Sequence, residues 1–364
     1  MNTADTTDII SKLNYDEINA ILTRALHKIL NNINLPCEQM REIMLIIMQG
    51  RCSDALMGAI LAGLRMKGET IEEITAAAEV MLSLADKIVL PSTQGVVDIV
   101  GTGGDGANLF NVSTAAVFVA AAAGVTVAKH GNRGVSTKSG SSDLLETAGV
   151  RLDLDKEQTL RCINEQGIGF LFAPNHHTAM KHAIGVRREL KARTIFNILG
   201  PLTNPAGVVN SVIGVFNSEL CEPLAYVLKN LGARHVMVVS AQDGLDEFSL
   251  ATATHVAELK KGVVSTYEIL PEDVGIASQS LQGLTISSSA ESLSLIQAAL
   301  DGKATEQARI LKARDTIALN AGAAIYVAGR ASSYANGVNM AQTIIQNGTA
   351  LHKLNNFVKF SQSL

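Results

Sequence analysis

The residues best suited to chemistry lie in three clusters of glycine, hydroxylated and basic residues, each of which follows an apolar run. The clusters are Gly101–Thr114, Lys129–Arg133 and Gly134–Asp143. Glycine has no Cβ atom, so a ligand can approach its backbone closely. Helix N-termini, lysine and arginine all bind anions. No Walker motif G-x-x-x-x-G-K-[ST] is present. Three such clusters close together nevertheless favour a site for several phosphate groups over ordinary glycine turns.

A candidate metal site follows the predicted strand His235–Ser240. The segment Asp243–Ser249 begins with Asp-Gly, which by itself indicates only a turn. Asp246 and Glu247 are adjacent carboxylates, however, and Mg²⁺ binds such carboxylates together with substrate phosphates. Because phosphate clusters are also present, we favour a metal site over a simple turn.

A basic segment, Gly185–Arg193, could supply a contact for a carboxylate. Most of its basic residues are expected to be solvated, while one inward-facing arginine could hold a carboxylate with two hydrogen bonds. His176, His177 and His182 do not have zinc-ligand spacing, so structural roles are favoured for them. The sequence also lacks a G-x-S-x-G elbow, so nucleophilic catalysis by the protein is not expected.

The elements that must position these residues begin with a helical domain at residues 1–90. Apolar residues recur there at helical spacing in four stretches. Thr70 and Glu73 have the spacing of a capping box at the start of the fourth helix. The four stretches are 18–29, 40–48, 55–67 and 71–85.

Beyond a hinge at 91–95, short apolar strands alternate with helices. This alternation predicts an α/β domain, residues 91–364, with a central and mainly parallel sheet. Ligands of such folds bind at the carboxyl ends of the strands, where the three clusters fall. The predicted strands are Val96–Val100, Val125–Ala128, Ser211–Phe216, His235–Ser240 and Gly262–Ile269.

The composition excludes several classes of protein. Of 364 residues, 47% are apolar and 18% are charged, and the net charge is −4. This balance is typical of globular enzymes and does not indicate binding to nucleic acid or to a membrane. The N-terminus does not resemble a signal peptide, and the four cysteines form no C-x-x-C. A cytoplasmic location is therefore expected.

Several long motifs, in this order, closely resemble the anthranilate phosphoribosyltransferase family of tryptophan biosynthesis. They are GTGGDG with FNVST, KHGNRGVSTKSGSSDLLE, VRREL with RTIFNILGPLTNPAG, and DGLDEFS. The resemblance implies transfer of phosphoribose from phosphoribosyl pyrophosphate to the amino group of anthranilate, with Mg²⁺ as cofactor. It also implies a homodimer formed through the helical domain, on which a later segment at about 180–207 packs.

The resemblance further assigns roles to individual residues. Ser113, Asp246 and Glu247 would hold the metal ion. The residues implied for anthranilate are Gly101, Asn132, His177, Arg187, Gly200 and Pro201. Those implied for phosphoribosyl pyrophosphate are Gly101, Gly104, Asp105, Asn111, Val112, Ser113, Thr114, Lys129, His130, Gly131, Asn132, Arg133, Gly134, Val135, Ser136, Thr137 and Ser141.

Three positions depart from the family pattern without removing a charged residue of the site. Leu109 stands where a hydroxylated residue is common, Thr178 where proline is usual, and Lys191 where glycine is usual.

The expected chemistry needs no catalytic residue. The aniline nitrogen is neutral at pH 7 and can lose its proton after attack, with His130 as the candidate acceptor. Two other functions are alternatives for this fold: a pyrimidine nucleoside phosphorylase and a non-catalytic nucleic-acid-binding relative. The first needs only one phosphate, and the second is expected to have a basic surface. Asp246 and Glu247 argue against both.

Overall fold

The computed structural model describes residues 10–104, 106–134 and 138–364, and the chain divides into two compact units. Unit 1 comprises Met1–Lys87, Pro174–Pro205 and Tyr226–Leu231. Unit 2 comprises Ile88–Ala173, Ala206–Ala225 and Gly232–Leu364. For comparison, the sequence suggested a boundary at residue 90 and a returning segment at about 180–207. It gave no indication of the short piece at 226–231.

Side-chain caps set the starts of three of the four helices described next in unit 1, and the second of the four begins after Pro36 without such a cap. Asn14 and Glu17 form a capping box at the first helix, and Ser53 accepts a hydrogen bond from the N–H of Leu56 at the third. The predicted capping box of Thr70 and Glu73 is present at the fourth. The helices are α1 (Tyr15–Leu30), α2 (Cys37–Met48), α3 (Asp54–Lys67) and α4 (Ile71–Leu84).

A buried ion pair joins two of these helices. The Nζ of Lys67 lies 2.8 Å from the Oε2 of Glu73, and both side chains are almost completely buried. Glu73 also accepts hydrogen bonds from the backbone N–H groups of Leu35 and Thr70, each at 2.8 Å. Because the buried carboxylate has three donors, its burial is compensated, and it ties the turn before α4 to the turn before α2.

The later segment returns to unit 1 and supplies one short helix and two longer ones. The short α8 (Ala173–His176) leads into a 3₁₀ turn (Thr178–Met180), which Thr178 opens in place of the usual proline. The helices that follow are α9 (Lys181–Leu190) and α10 (Ile195–Leu202).

In unit 2 the described strands form one seven-stranded sheet. Its order is β3-β2-β1-β4-β5-β6-β7. The first five strands in this order are parallel, and the last two pair antiparallel, so the sheet is mainly parallel as predicted. The strands are β1 (Val96–Gly101), β2 (Thr126–Gly131), β3 (Ile168–Phe172), β4 (Asn210–Gly214), β5 (His235–Ala241), β6 (Thr254–Lys260) and β7 (Val263–Ile269).

Strands β3 and β6 were not predicted from the sequence. β3 follows directly on a π-helical turn (Cys162–Gln166), so its apolar residues extend a helical pattern in the sequence. β6 carries His255, Glu258 and Lys260, and such charge is uncommon in a buried strand. Glu258 is buried there because His235, Tyr267 and Tyr326 all hydrogen-bond to its carboxylate.

Helices cover this sheet. The helix after β1, α5 (Val112–Ala122), is apolar around its whole circumference, and nearly all its side chains are buried, as expected of a helix inside a core. Phe118 on α5 packs against Phe357 with 6.3 Å between ring centroids. The other helices of unit 2 are α6 (Ser141–Thr147), α7 (Lys156–Arg161), α11 (Cys221–Asn230, which ends in unit 1), α12 (Ser289–Leu300), α13 (Ala308–Val327), α14 (Tyr334–Gln346) and α15 (Thr349–Gln362).

The strand order reverses direction between β1 and β4. Ligands of open α/β sheets bind outside the carboxyl ends of the strands at such a reversal. Gly101 ends β1 and pairs in register with Gly214, which ends β4. The fold therefore predicts a ligand site at the carboxyl ends of β1 and β4, next to these two glycines.

Within the described residues, no helix is long and apolar enough to cross a bilayer.

Lys191 has a left-handed backbone conformation at the end of α9, with φ 48° and ψ 27°. A side chain with a Cβ atom costs about 1 kcal/mol in this region, whereas glycine adopts it freely. The usual glycine of the family therefore has a conformational reason.

We predict that Lys191→Gly raises the free energy of unfolding of unit 1 by about 1 kcal/mol, because it removes this penalty. The urea midpoint followed by circular dichroism measures the effect. Lys191→Ala is the matched control, since it removes the same charge but keeps a Cβ atom. Equal midpoints for the two variants would show that the backbone conformation is not strained.

Candidate functional site

The space above the paired glycines holds Asp246. A Cβ atom on Gly101 would meet the Oδ2 of Asp246, and a Cβ atom on Gly214 would meet its backbone carbonyl. Both positions therefore require glycine, because any side chain would displace the residue that lies between the ends of β1 and β4. The N–H of Thr102 donates to the carbonyl of Gly214 at 2.9 Å and closes this end of the sheet.

The two adjacent carboxylates each accept a hydrogen bond from a different part of the loop after β1. Asp246 Oδ2 accepts from the N–H of Gly103 at 2.6 Å, and Glu247 Oε1 accepts from the N–H of Ser113 at 3.2 Å. Ser113 lies in the first turn of α5. The acidic pair therefore determines how the glycine-rich loop is held at both of its ends.

The segment that carries these carboxylates is fixed from behind. The N–H of Phe248 donates to Asn320 Oδ1 at 2.9 Å, and Asn320 Nδ2 donates to the carbonyl of Phe248 at 3.1 Å. Asp243 Oδ2 accepts from the hydroxyl of Ser249 at 2.6 Å. These contacts hold the carboxylates in place, and Asn320, in the middle of α13, was not suggested by the sequence.

Lys129 places a buried cation close to the same carboxylates. It is only 3% exposed, and its Nζ contacts the carbonyl of Ile99 and lies 3.4 Å from the Ser113 hydroxyl. Burial lowers the pKa of Lys129, and the charges of Asp98, Glu247 and Asp246 oppose that shift. Backbone and hydroxyl groups hold the side chain in place. Its positive charge therefore interacts with the carboxylates of Asp246 and Glu247 at the carboxyl ends of the strands.

Asp98 is a second residue of the site that was not predicted from the sequence. It is 1% exposed in the middle of β1, and its Oδ1 accepts from the N–H of His130 at 3.1 Å. A charged residue inside the apolar run VVDIV is the signal that could have revealed it.

The start of α5 differs from the expected free anion cradle. Asn111 occupies the N-cap position, but its side chain does not cap the helix. The N–H of Ser113 is also taken, because Glu247 accepts from it. Residues 101–106 satisfy the dinucleotide spacing G-x-G-x-x-G, yet α5 begins only at Val112, so the glycines do not open the helix as they do in that motif.

The second glycine-rich loop connects the end of β2 to the start of α6, and side chains of α6 hold it by hydrogen bonds. Asp143 Oδ2 accepts from the N–H groups of Gly134 and Gly140 at 2.9 and 2.8 Å. The hydroxyl of Ser141 donates to the carbonyl of Asn132 at 3.2 Å. A Cβ atom on Gly131 would meet the Ser141 hydroxyl, so this close approach also requires glycine.

Arg133 is paired with carboxylates of its own unit. Its guanidinium donates to Glu146 at 2.5 and 2.8 Å and to Asp143 at 3.3 Å, which raises the pKa of Arg133. It also lies over the ring of Phe172, 5.6 Å from the centroid. Since the pair is exposed, an anion can compete for the arginine at a small cost.

The other residues implied for the diphosphate are distributed along the same two loops. Val112 and Thr114 are buried in the first turn of α5, and Gly104 has φ +80°. Asp105, Val135, Ser136 and Thr137 lie outside the described residues. The remaining positions, Lys129, His130, Asn132 and Gly134, all follow or end β2.

The donor set suits a hard divalent cation. The described residues contain no group of three or more histidine, cysteine, aspartate or glutamate side chains arranged as a metal site. Asp246 and Glu247 with the Ser113 hydroxyl offer oxygen ligands only, which matches the preference of Mg²⁺ for a few carboxylates completed by substrate phosphates and water.

In unit 1, Arg187 on α9 has a guanidinium without a carboxylate partner among the described residues. It stacks on Phe196 of α10, 5.5 Å from the ring centroid, and its burial lowers its pKa. A half-buried cation held flat on an aromatic ring leaves its hydrogen-bonding edge for an anion. This arrangement identifies the arginine that the basic segment alone did not single out.

His177, also in unit 1, has a structural hydrogen bond. Its Nε2 lies 2.9 Å from the carbonyl of Thr203, just beyond α10, and burial lowers its pKa. Gly200 and Pro201 are in the last turns of α10, and a Cβ atom on Gly200 would meet no other atom. His177 therefore contacts the turn that follows α10, and Gly200 and Pro201 lie at the end of that helix.

Two family profiles match the chain. The helical bundle domain of the glycosyl transferase family matches residues 23–85, and the a/b domain of that family matches residues 93–351.

Relatives of known name are similar over nearly the whole chain. The anthranilate phosphoribosyltransferase of Psychrobacter sp. (strain PRwf-1) is 64% identical, and the alignment covers 100% of this chain and 98% of that protein. The enzyme of the same name from Acinetobacter baylyi is 60% identical over 94% of this chain and 98% of its own length.

Solved structures give the same result. Anthranilate phosphoribosyltransferase from Thermus thermophilus matches with a TM-score of 0.86 at 40% identity, covering 93% of this chain and 99% of its own. The Saccharomyces cerevisiae enzyme in complex with PRPP and Mg matches with a TM-score of 0.84 at 27% identity, covering 95% and 99%.

Proposed function

Because the chain belongs to the anthranilate phosphoribosyltransferase family, we propose that it transfers the phosphoribosyl group of 5-phosphoribosyl 1-pyrophosphate to the amino group of anthranilate. The products are N-(5-phosphoribosyl)anthranilate and pyrophosphate, and the reaction belongs to tryptophan biosynthesis. The observation that carries this proposal is the position of Asp246 and Glu247. They lie at the strand reversal, each holds an N–H group of the first glycine-rich loop, and Lys129 is buried beside them.

The donor diphosphate is proposed to bind along the loops that follow β1 and β2. Backbone N–H groups of these loops, Lys129 and the exposed Arg133 provide donors and positive charge where the leaving group develops negative charge. Other N–H groups of the same loops, those of Gly103, Ser113 and Gly134, already donate to Asp246, Glu247 and Asp143. The loops are therefore held in place before the ligand arrives, and little reorganisation accompanies binding. Preorganised electrostatics of this kind favours departure of pyrophosphate.

Mg²⁺ is the cofactor, and Asp246, Glu247 and Ser113 are proposed to hold it. When bound, Mg²⁺ neutralises part of the diphosphate charge as a Lewis acid. The Saccharomyces cerevisiae relative was solved with PRPP and Mg, which supports this assignment.

Anthranilate carries a carboxylate, and Arg187 is proposed to bind it. The guanidinium lies flat on Phe196, so its edge is oriented for a two-bond contact with a carboxylate. Burial also makes the guanidinium a stronger partner for an anion than an exposed one. His177, Gly200 and Pro201 are proposed to contact the rest of the anthranilate ring.

No residue of the chain is proposed to act as a strong base. The aniline nitrogen of anthranilate is neutral at pH 7 and attacks C1 of the sugar directly, after which its proton is acidic and leaves to water or to His130. His130 is buried at the end of β2, and its backbone N–H donates to Asp98. The position of His130 is therefore determined by the sheet. The protein mainly stabilises charge and aligns the substrates.

A homodimer formed through the helical unit is also proposed. Large apolar side chains are exposed on this unit, among them Tyr15, Leu30 and Met66 at 67%, 67% and 89%. Side chains of this kind are frequent at contacts between subunits.

We further place the enzyme in the reducing cytoplasm. This agrees with its four free cysteines, since burial raises the pKa of Cys52 and of Cys162 to about 11.

The proposed function is tested by following the fluorescence of anthranilate in the presence of phosphoribosyl pyrophosphate and Mg²⁺. We expect consumption of anthranilate that needs all three components. Phosphorolysis of thymidine and uridine is assayed in parallel, because the phosphorylase alternative predicts it. Nucleoside phosphorolysis at a rate equal to or above anthranilate turnover would overturn the proposal.

We predict that Arg187→Met raises the KM for anthranilate by about 100-fold and changes the KM for phosphoribosyl pyrophosphate by less than about threefold, since a charge-assisted carboxylate contact is lost. Steady-state kinetics with each substrate varied in turn measures both values. Arg188→Met, at an exposed position of the same helix, is the control and should change neither. An equal effect of Arg187→Met on both KM values would exclude Arg187 as the carboxylate contact.

A further inference from the structure

Four polar residues form a continuous chain of hydrogen bonds beside the first glycine-rich loop. We call it the hydroxyl cluster, and it consists of Asn111, Ser139, Ser289 and Ser292. All four belong to unit 2. Ser139 and Ser292 are 8% and 0% exposed. The two residues on α12, Ser289 and Ser292, matched no motif in the sequence and have no role in the reaction as described above.

Ser292 makes two hydrogen bonds with one residue. Its Oγ accepts from the backbone N–H of Asn111 at 3.0 Å and donates to the Oδ1 of Asn111 at 2.8 Å. This pair of bonds fixes both the backbone and the amide group of Asn111. The hydroxyl of Ser292 is therefore a specific clamp on the residue that immediately precedes α5.

Ser139 completes the arrangement from the second glycine-rich loop. Its hydroxyl donates to Asn111 Oδ1 at 2.9 Å and accepts from the Ser289 hydroxyl at 2.9 Å. Asn111 Nδ2 donates to the carbonyl of Ser139 at 3.0 Å. Because a carbonyl can only accept, the amide nitrogen must face Ser139, and the amide oxygen is then left to accept the two hydroxyl groups. The directions of all these bonds are consistent with one another.

One consequence concerns the second hydrogen on Nδ2 of Asn111. An amide nitrogen has two N–H donors, and the contact with Ser139 uses one. The second makes no hydrogen bond with a residue that the structure describes. Rotation of the amide would break three hydrogen bonds, so the cluster holds this donor in a single direction.

Stability of α12 does not explain the serine at position 292. Ser288 is the N-cap of this helix and accepts from the N–H of Glu291, whereas Ser292 lies in the helix interior. Serine is less favourable than alanine in a helix interior, and a buried hydroxyl must be hydrogen-bonded to be tolerated. The hydroxyl of Ser292 is thus present at a cost to helix stability, and its only described side-chain partner is Asn111.

We propose that Ser292 is a positioning residue for phosphoribosyl transfer. Its hydroxyl orients Asn111 so that the second amide N–H is presented to the donor diphosphate, and Ser139 and Ser289 support that orientation. The proposal rests on the proposed function, since it deepens the assignment of Asn111 to the phosphoribosyl pyrophosphate site. It extends that site to a helix, α12, that carries none of the family motifs.

The test compares the KM for phosphoribosyl pyrophosphate in the wild type and in Ser292→Ala, with Asn111→Ala and the double variant completing a double-mutant cycle. We expect Ser292→Ala to raise this KM about tenfold and to leave the KM for anthranilate within about twofold, because only the donor site loses an oriented group. In the Asn111→Ala background, Ser292→Ala should have no further effect beyond about twofold.

Ser288→Ala is the matched control. It removes the cap of the same helix but no bond of the hydroxyl cluster, so it lowers the unfolding midpoint and leaves the KM for phosphoribosyl pyrophosphate unchanged. If Ser292→Ala does not fold, Ser289→Ala decides. It removes only the bond to Ser139 and should raise the same KM about threefold.

The outcomes separate this inference from the proposed function. Additive effects of Ser292→Ala and Asn111→Ala, or a donor KM that Ser288→Ala raises as much as Ser292→Ala does, would refute the positioning role while leaving the function intact. A wild-type protein that turns over no anthranilate would refute the proposed function, and the inference would fall with it.

Discussion

The constraint on which the site depends is the absence of side chains at Gly101 and Gly214. These glycines are paired at the strand reversal of the sheet, and their missing Cβ atoms leave room for Asp246. Asp246 and Glu247 can then accept hydrogen bonds from Gly103 and Ser113. The shape of the first glycine-rich loop, the start of α5 and the location of the carboxylates therefore follow from one close approach between backbone segments.

The polar groups that we assign to substrate are held by other polar groups of the chain. Arg133 is held by Glu146, Asn111 by Ser139 and Ser292, and Lys129 by a carbonyl and a hydroxyl group. Such a site is largely formed before the ligand arrives, so binding energy is not needed to order it. Burial lowers the pKa of Lys129, and the neighbouring carboxylates oppose this effect, which links its charge to theirs.

Much of this arrangement could be predicted from the sequence, because local chemistry determines it. The capping box at Thr70, the glycine-rich loops and the acidic pair each have a short sequence signature. The contributions of Asp98, Asn320 and Ser292 could not be predicted, since each contacts the site across 32, 72 or 181 residues of chain. Strand β6 was missed for a similar reason: its buried Glu258 is stabilised by partners from β5, β7 and α13.

The central claim is that the carboxylates above the paired glycines bind Mg²⁺ and thereby the donor diphosphate. Calorimetric titration of phosphoribosyl pyrophosphate, with and without Mg²⁺, tests it most directly in the wild type and in the double variant Asp246→Asn, Glu247→Gln. The amide oxygens of this variant can still accept from Gly103 and Ser113, so the loop is preserved. We predict that Mg²⁺ tightens binding to the wild type at least about tenfold and has no effect on the variant. An equal gain from Mg²⁺ in both proteins would contradict the account.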